Sequence, residues 1–107
     1  MNKYRAKKVK TEDGTFDSKR EYARWCELKL LERAGEIEDL RRQVSYTLVG
    51  SQKGTTRNER PINYRADFVY YKDGELVVED SKGMRTPEYV IKRKLMKYFH
   101  DIEIQEV

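Results

Sequence analysis

The dipeptide Asp73-Gly74 divides the segment Tyr64–Gly83, YRADFVYYKDGELVVEDSKG, into two runs with strand character. A two-residue type I′ turn needs positive φ at both central residues, and Asp-Gly meets that need at low cost. Such a turn sets the register of everything around it. Lys72 pairs with Glu75, Tyr71 with Leu76, Val69 with Val78, Asp67 with Asp80 and Arg65 with Lys82. Residues two apart share a face. One face therefore starts apolar at the turn and ends in a charged cluster of Arg65, Asp67, Asp80 and Lys82, with Glu79 on the other side. Directly opposed residues have Cβ atoms about 4.5–5.5 Å apart, so Asp67 against Asp80 is repulsive. Lys82 and Arg65 offset part of that repulsion. A divalent cation offsets it better, since Mg²⁺ binds through one or two carboxylates, waters and phosphate oxygens.

Helix and strand signals flank this hairpin. Ser18 followed by Glu21 fits a capping box, and Tyr22, Trp25, Cys26, Leu28 and Leu31 follow at helical spacing up to Gly35. A first helix is predicted over about Asp17–Ala34. Residues 43–49, QVSYTLV, alternate as a strand, and residues 50–61 are a polar loop. Strands are predicted at Tyr64–Tyr71 and Glu75–Ser81. Thr86-Pro87-Glu88 begins a second helix, on which Ile91, Leu95 and Tyr98 run to about His100. Ile102 and Ile104 mark a short last strand. The order is helix, strand, strand, strand, helix, strand, an α/β domain with a mixed sheet spanning 1–107, preceded by a basic arm at 1–15.

Composition narrows the chemistry. A single cysteine, Cys26, excludes an intrachain disulfide and a Cys-rich zinc site. One histidine, His100, leaves little basis for a histidine zinc centre or a Ser-His-Asp triad. Neither a signal peptide nor a membrane-spanning apolar run is present, so an intracellular location is expected. The net charge of +4 is unevenly spread: residues 3–10, KYRAKKVK, carry five basic side chains and residues 92–97, KRKLMK, carry four. Such patches suit a phosphate backbone, or a solvated tail and helix face. The candidate DNA contacts are Lys3, Arg5, Lys7, Lys8, Lys10, Lys53, Arg57, Lys92 and Arg93.

Glu21 ends the apolar stripe of the first helix, where it can either complete the capping box with Ser18 or reach the hairpin cluster. Asp67, followed after twelve residues by Asp80-Ser81-Lys82, resembles the active-site motif of the PD-(D/E)XK nuclease superfamily. The element order also resembles that superfamily's restriction-endonuclease-like αβββαβ core. The phrases KYRAKKV, DGTFDSKREY, YRADFVYY, VVEDSKG and TPEYVIKRKL are similar to those of a small phage-encoded branch related to Holliday-junction resolvases. One departure is Ala66, which stands where the motif has its proline.

The resemblance implies a Mg²⁺- or Mn²⁺-dependent endodeoxyribonuclease. Its metal ligands would be Asp67, Asp80, the Ser81 carbonyl and Glu21, and Lys82 would orient the water or stabilise developing charge. Gln43 and Arg65 are candidate supports. It also implies selection for four-way or branched DNA in phage recombination, replication or packaging, in the host cytoplasm. Two cuts at a junction would require a homodimer, with no membrane and no small-molecule cofactor. The competing readings are a DNA-binding module that keeps the fold without catalysis, and a protein-interaction domain with a fortuitous acidic hairpin.

Overall fold

The computed structural model describes residues 7–54, 57–81 and 85–107. Its centre is the hairpin set by Asp73-Gly74. Asp73 (φ 52°) and Gly74 (φ 80°) both take the left-handed conformation that the turn requires. The flanking strands, β6 (Ile62–Lys72) and β7 (Glu75–Asp80), pair as predicted, with Lys72 opposite Glu75, Tyr71 opposite Leu76 and Val69 opposite Val78. β3 (Glu38–Val49) pairs antiparallel on the other side of β6, and β8 (Gln105–Glu106) adds parallel to β7. The main sheet thus runs β3-β6-β7-β8.

Two helices cover its two faces. In α1 (Lys19–Arg33) the Ser18 hydroxyl accepts from the Glu21 amide, and a cap of this kind contributes about 1 kcal/mol. Gly35, at φ 79°, turns the chain out of the helix. Leu28, with Tyr22 and Trp25, packs with Phe16, Ile37, Phe68 and Tyr70 on one face. In α2 (Pro87–His100) the Thr86 hydroxyl accepts from the Tyr89 amide. Tyr89 and Met96 pack with Leu48, Tyr64, Ala66, Val69, Val78 and Ile104 on the other face. The fold is therefore mixed α and β, with α1, β3, β6, β7, α2 and β8 following one another as the sequence predicts. No helix among the described residues is long and apolar enough to cross a membrane.

Several local expectations change. Residues 9–16 are not an arm: β1 (Val9–Thr11) and β2 (Gly14–Phe16) form a hairpin that buries Phe16. β3 begins at Glu38, five residues before the predicted start at Gln43, because pairing with β6 extends the strand through the polar residues EDLRR. The polar stretch after β3 carries a two-rung ladder, β4 (Gln52–Lys53) with β5 (Asn58–Glu59). The last strand forms at Gln105–Glu106, after Ile102 and Ile104, and only Ile104 of that pair is fully buried. On α2 the buried residues are Tyr89 and Met96, while Ile91 and Tyr98 are exposed. Leu31 on α1 is exposed as well.

The predicted alternation along β6 also slips. Tyr64, Ala66 and Val69 all lie on the α2 face, whereas Phe68 and Tyr70 lie on the α1 face. A regular strand would place Ala66 and Phe68 together. The partner strand slips at the same point, since Arg42 stacks on Phe16 on the α1 side while Val44 packs against the α2-side core. Between them Gln43 is left-handed, at φ 53°. That local twist turns both strands over opposite Asp67. Arg65 therefore does not continue the face of Val69, as strict alternation requires; Ala66 and Tyr64 occupy it instead.

Candidate active site

The slip places Asp67 where the two faces exchange, next to the end of β7. The ladder between β6 and β7 ends at Phe68 opposite Glu79, one step before Asp67 and Asp80. Asp67 Oδ2 accepts from the backbone amide of Ser81 at 2.8 Å. Its Oδ1 lies 3.4 Å from Gln43 Nε2, so the left-handed residue that flips the strands also touches the carboxylate it exposes. Asp80, fully buried, has Oδ2 accepting from the Tyr64 hydroxyl at 2.6 Å. Burial and this carboxylate both hold the Tyr64 hydroxyl well above the ordinary tyrosine range.

Glu21 joins from α1. Its side chain is buried, and the carboxyl is pushed up to about 7. Burial is the largest cause, followed by repulsion from Asp67 and then Asp17. Among the described residues its Oε2 accepts no hydrogen bond, although the Arg42 Nη2 stands 3.6 Å away. The capping box is thus half formed: Ser18 caps α1, and the Glu21 side chain belongs to the carboxylate cluster.

Glu79, next in sequence to Asp80, takes no part. It faces α1, where Arg24 donates through Nε at 2.9 Å and Nη2 at 2.7 Å to its two carboxylate oxygens. The Tyr70 hydroxyl makes a further short hydrogen bond to it. Burial and that bond push Tyr70 up to about 12. Glu79 and Asp80 therefore point to opposite faces, as the turn register predicts.

Beside Asp67 opens a cleft of about 320 Å³, lined by Asp67, Gln43, Arg65 and Asp17 on one side and by Thr86, Glu88 and Lys92 of α2 on another. Of the predicted DNA contacts among the described residues, only Lys92 lines this cleft. Lys53 and Arg57 lie on the exposed β4–β5 ladder and its connection, and Arg93 is tied to Glu106 at 3.2 Å. Lys7, Lys8 and Lys10 precede or lie on β1 and face solvent. Lys3, Arg5 and Lys82 fall outside the described residues, and with Lys82 the expected Arg65–Lys82 pairing.

Sequence reasoning missed Tyr64 and Arg42. A tyrosine three residues before Asp67 carries no signal of its own, because only the strand slip turns it towards Asp80. Arg42 lies before the predicted strand start at Gln43, yet it is largely buried, donates to the Thr15 carbonyl at 2.9 Å and lies over the Phe16 ring.

Among the described residues no three His, Cys, Asp or Glu side chains converge tightly enough to hold a metal ion. Charge nevertheless fits a cation at two of them. Burial first, and then the Asp67 charge, keep Glu21 from ionising at its usual pH, and its Oε2 lacks a hydrogen-bond donor. Two carboxylates suffice for Mg²⁺, which keeps several waters and takes its remaining oxygens from a substrate phosphate.

Residues 1–106 match the family model described as "Protein of unknown function (DUF1064)". No curated protein and no solved structure matches the chain.

Proposed function

We propose that this chain, which belongs to the DUF1064 family, is a metal-dependent endonuclease that hydrolyses phosphodiester bonds in DNA. The observation that carries the reading is the meeting of Glu21 from α1 with Asp67 from β6, beside the end of β7 that bears Asp80. The succession α1, β3, β6, β7, α2, β8 supports the PD-(D/E)XK assignment, as does the Asp80-Ser81-Lys82 sequence.

Asp67 and Glu21 would hold Mg²⁺ or Mn²⁺, with Asp80 and the Ser81 carbonyl as further ligands. The ion, when bound, polarises the scissile phosphate and lowers the pKa of a coordinated water. Gln43 and the Ser81 amide fix the orientation of Asp67. The Tyr64 hydroxyl fixes Asp80. Lys82 would stabilise charge developing on the phosphate. A four-way junction, which needs two cuts, would engage a two-fold pair of copies.

The test is incubation of purified protein with Mg²⁺ or Mn²⁺ and labelled four-way junctions, flaps and linear duplex. Cleavage of branched substrates ahead of duplex is expected. Binding without cleavage under both metals refutes the nuclease and leaves the non-catalytic DNA-binding module.

A further inference from the structure

β6 is longer than its partner β7. Of β6, Phe68–Lys72 pair with β7, and among the described residues Ile62–Ala66 have no strand partner on that side. The cleft beside Asp67 is lined by Tyr64 and Arg65 of this stretch and, across from them, by Glu88, Tyr89 and Lys92 in the first turns of α2. Two cations line it. Arg65 is exposed, and its guanidinium makes no hydrogen bond or ion pair among the described residues. Lys92 Nζ lies 3.1 Å from Glu88 Oε1, but that glutamate is largely exposed, and such a surface pair contributes little and yields readily to another anion. By contrast, the neighbouring Arg85 and Arg93 are both committed to Glu106.

We infer that the cleft between β6 and the first turns of α2 is the channel for the sugar–phosphate strand, with Arg65 and Lys92 contacting phosphates that flank the one at Asp67. The inference rests on the nuclease reading for the identity of the reacting phosphate. The acidic end at Asp67 and Asp17 repels a polyanion, so the cations must stand on either side of it rather than within it. Arg65 comes from the sheet and Lys92 from the helix. A strand between them is held at two points, which fixes its direction across the carboxylates.

The test measures DNA affinity against salt concentration with Ca²⁺ replacing Mg²⁺, on single-strand flaps and on duplex. The proteins are wild type, Arg65→Gln, Lys92→Gln, the double variant, and Lys72→Gln at the turn end of the hairpin as a control. Thermal melting confirms that each folds. Each cleft substitution is expected to reduce the slope of log K against log salt by about 0.9 on duplex or about 0.7 on single strands, and the double variant by about twice that. Lys72→Gln should leave the slope unchanged. A double variant with the wild-type slope overturns the inference, as does wild-type protein that binds no DNA. Cleavage by the same wild-type preparation is scored separately under Mg²⁺ and Mn²⁺. Reduced slopes without any cleavage refute the nuclease and leave the channel as a binding groove.

Discussion

The Tyr64 hydroxyl donates to Asp80 Oδ2 at 2.6 Å, inside a core where both side chains are buried. The bond joins the two central strands just where their backbone ladder has ended. Removing it with Tyr64→Phe strips a buried carboxylate of a donor. A loss of about 1–3 kcal/mol of stability is expected, read as a lower urea midpoint with an unchanged m value. On the proposed reading, saturating Mn²⁺ restores more stability to this variant than it adds to wild type, because a cation replaces the lost donor.

Glu21 makes metal-free stability depend on pH. Its folded pKa, about 7, lies above the ordinary value of 4.5, so the folded chain binds the proton more tightly than the unfolded chain does. That contribution is fully present below about pH 4.5 and is lost as pH rises through about 7. The loss is on the order of 3 kcal/mol. Urea unfolding in chelator from pH 4.5 to 8 should show it, and Glu21→Gln should flatten this part of the profile.

Asp80→Ala should abolish cleavage while leaving DNA affinity largely intact, because the cationic side chains are untouched. Calorimetric titration with Mn²⁺ should give a clear heat with wild type and much less with the variant. Equal heats would remove Asp80 from the site. Lys82→Ala should reduce cleavage more than Mn²⁺ binding.

The Arg24–Glu79 pair is structural, and its variants should say so. Arg24→Met leaves a fully buried carboxylate without its bidentate partner, and about 3–5 kcal/mol of destabilisation is expected. Arg24→Met combined with Glu79→Met removes both charges and should recover most of that loss. The double variant, if folded by circular dichroism, should retain cleavage. Loss of cleavage there with full stability would give Glu79 a role in the chemistry.

Much of this was legible because it is local. Ser18 and Thr86 cap the helices they were expected to cap, and the opposite facing of Glu79 and Asp80 follows from counting outward from one turn. The failures are non-local. The strand predicted from Gln43 in fact starts at Glu38, because the strand character of the polar residues 38–42 comes from pairing with β6. Ile91 and Tyr98 sit at helical spacing yet face solvent, because periodicity marks a stripe without saying which part of it the sheet will cover.

The site divides in the same way. Asp73-Gly74 by itself determined the register as far as Phe68 opposite Glu79, and with it the opposite facing of Glu79 and Asp80, since a two-residue turn leaves no freedom in the pairing. Only the tertiary structure decided how Asp67 is presented. The left-handed backbone at Gln43 turns two strands over together, bringing Tyr64 to Asp80 and Asp67 to Glu21, and no single strand's pattern encodes a twist that two strands must make at once.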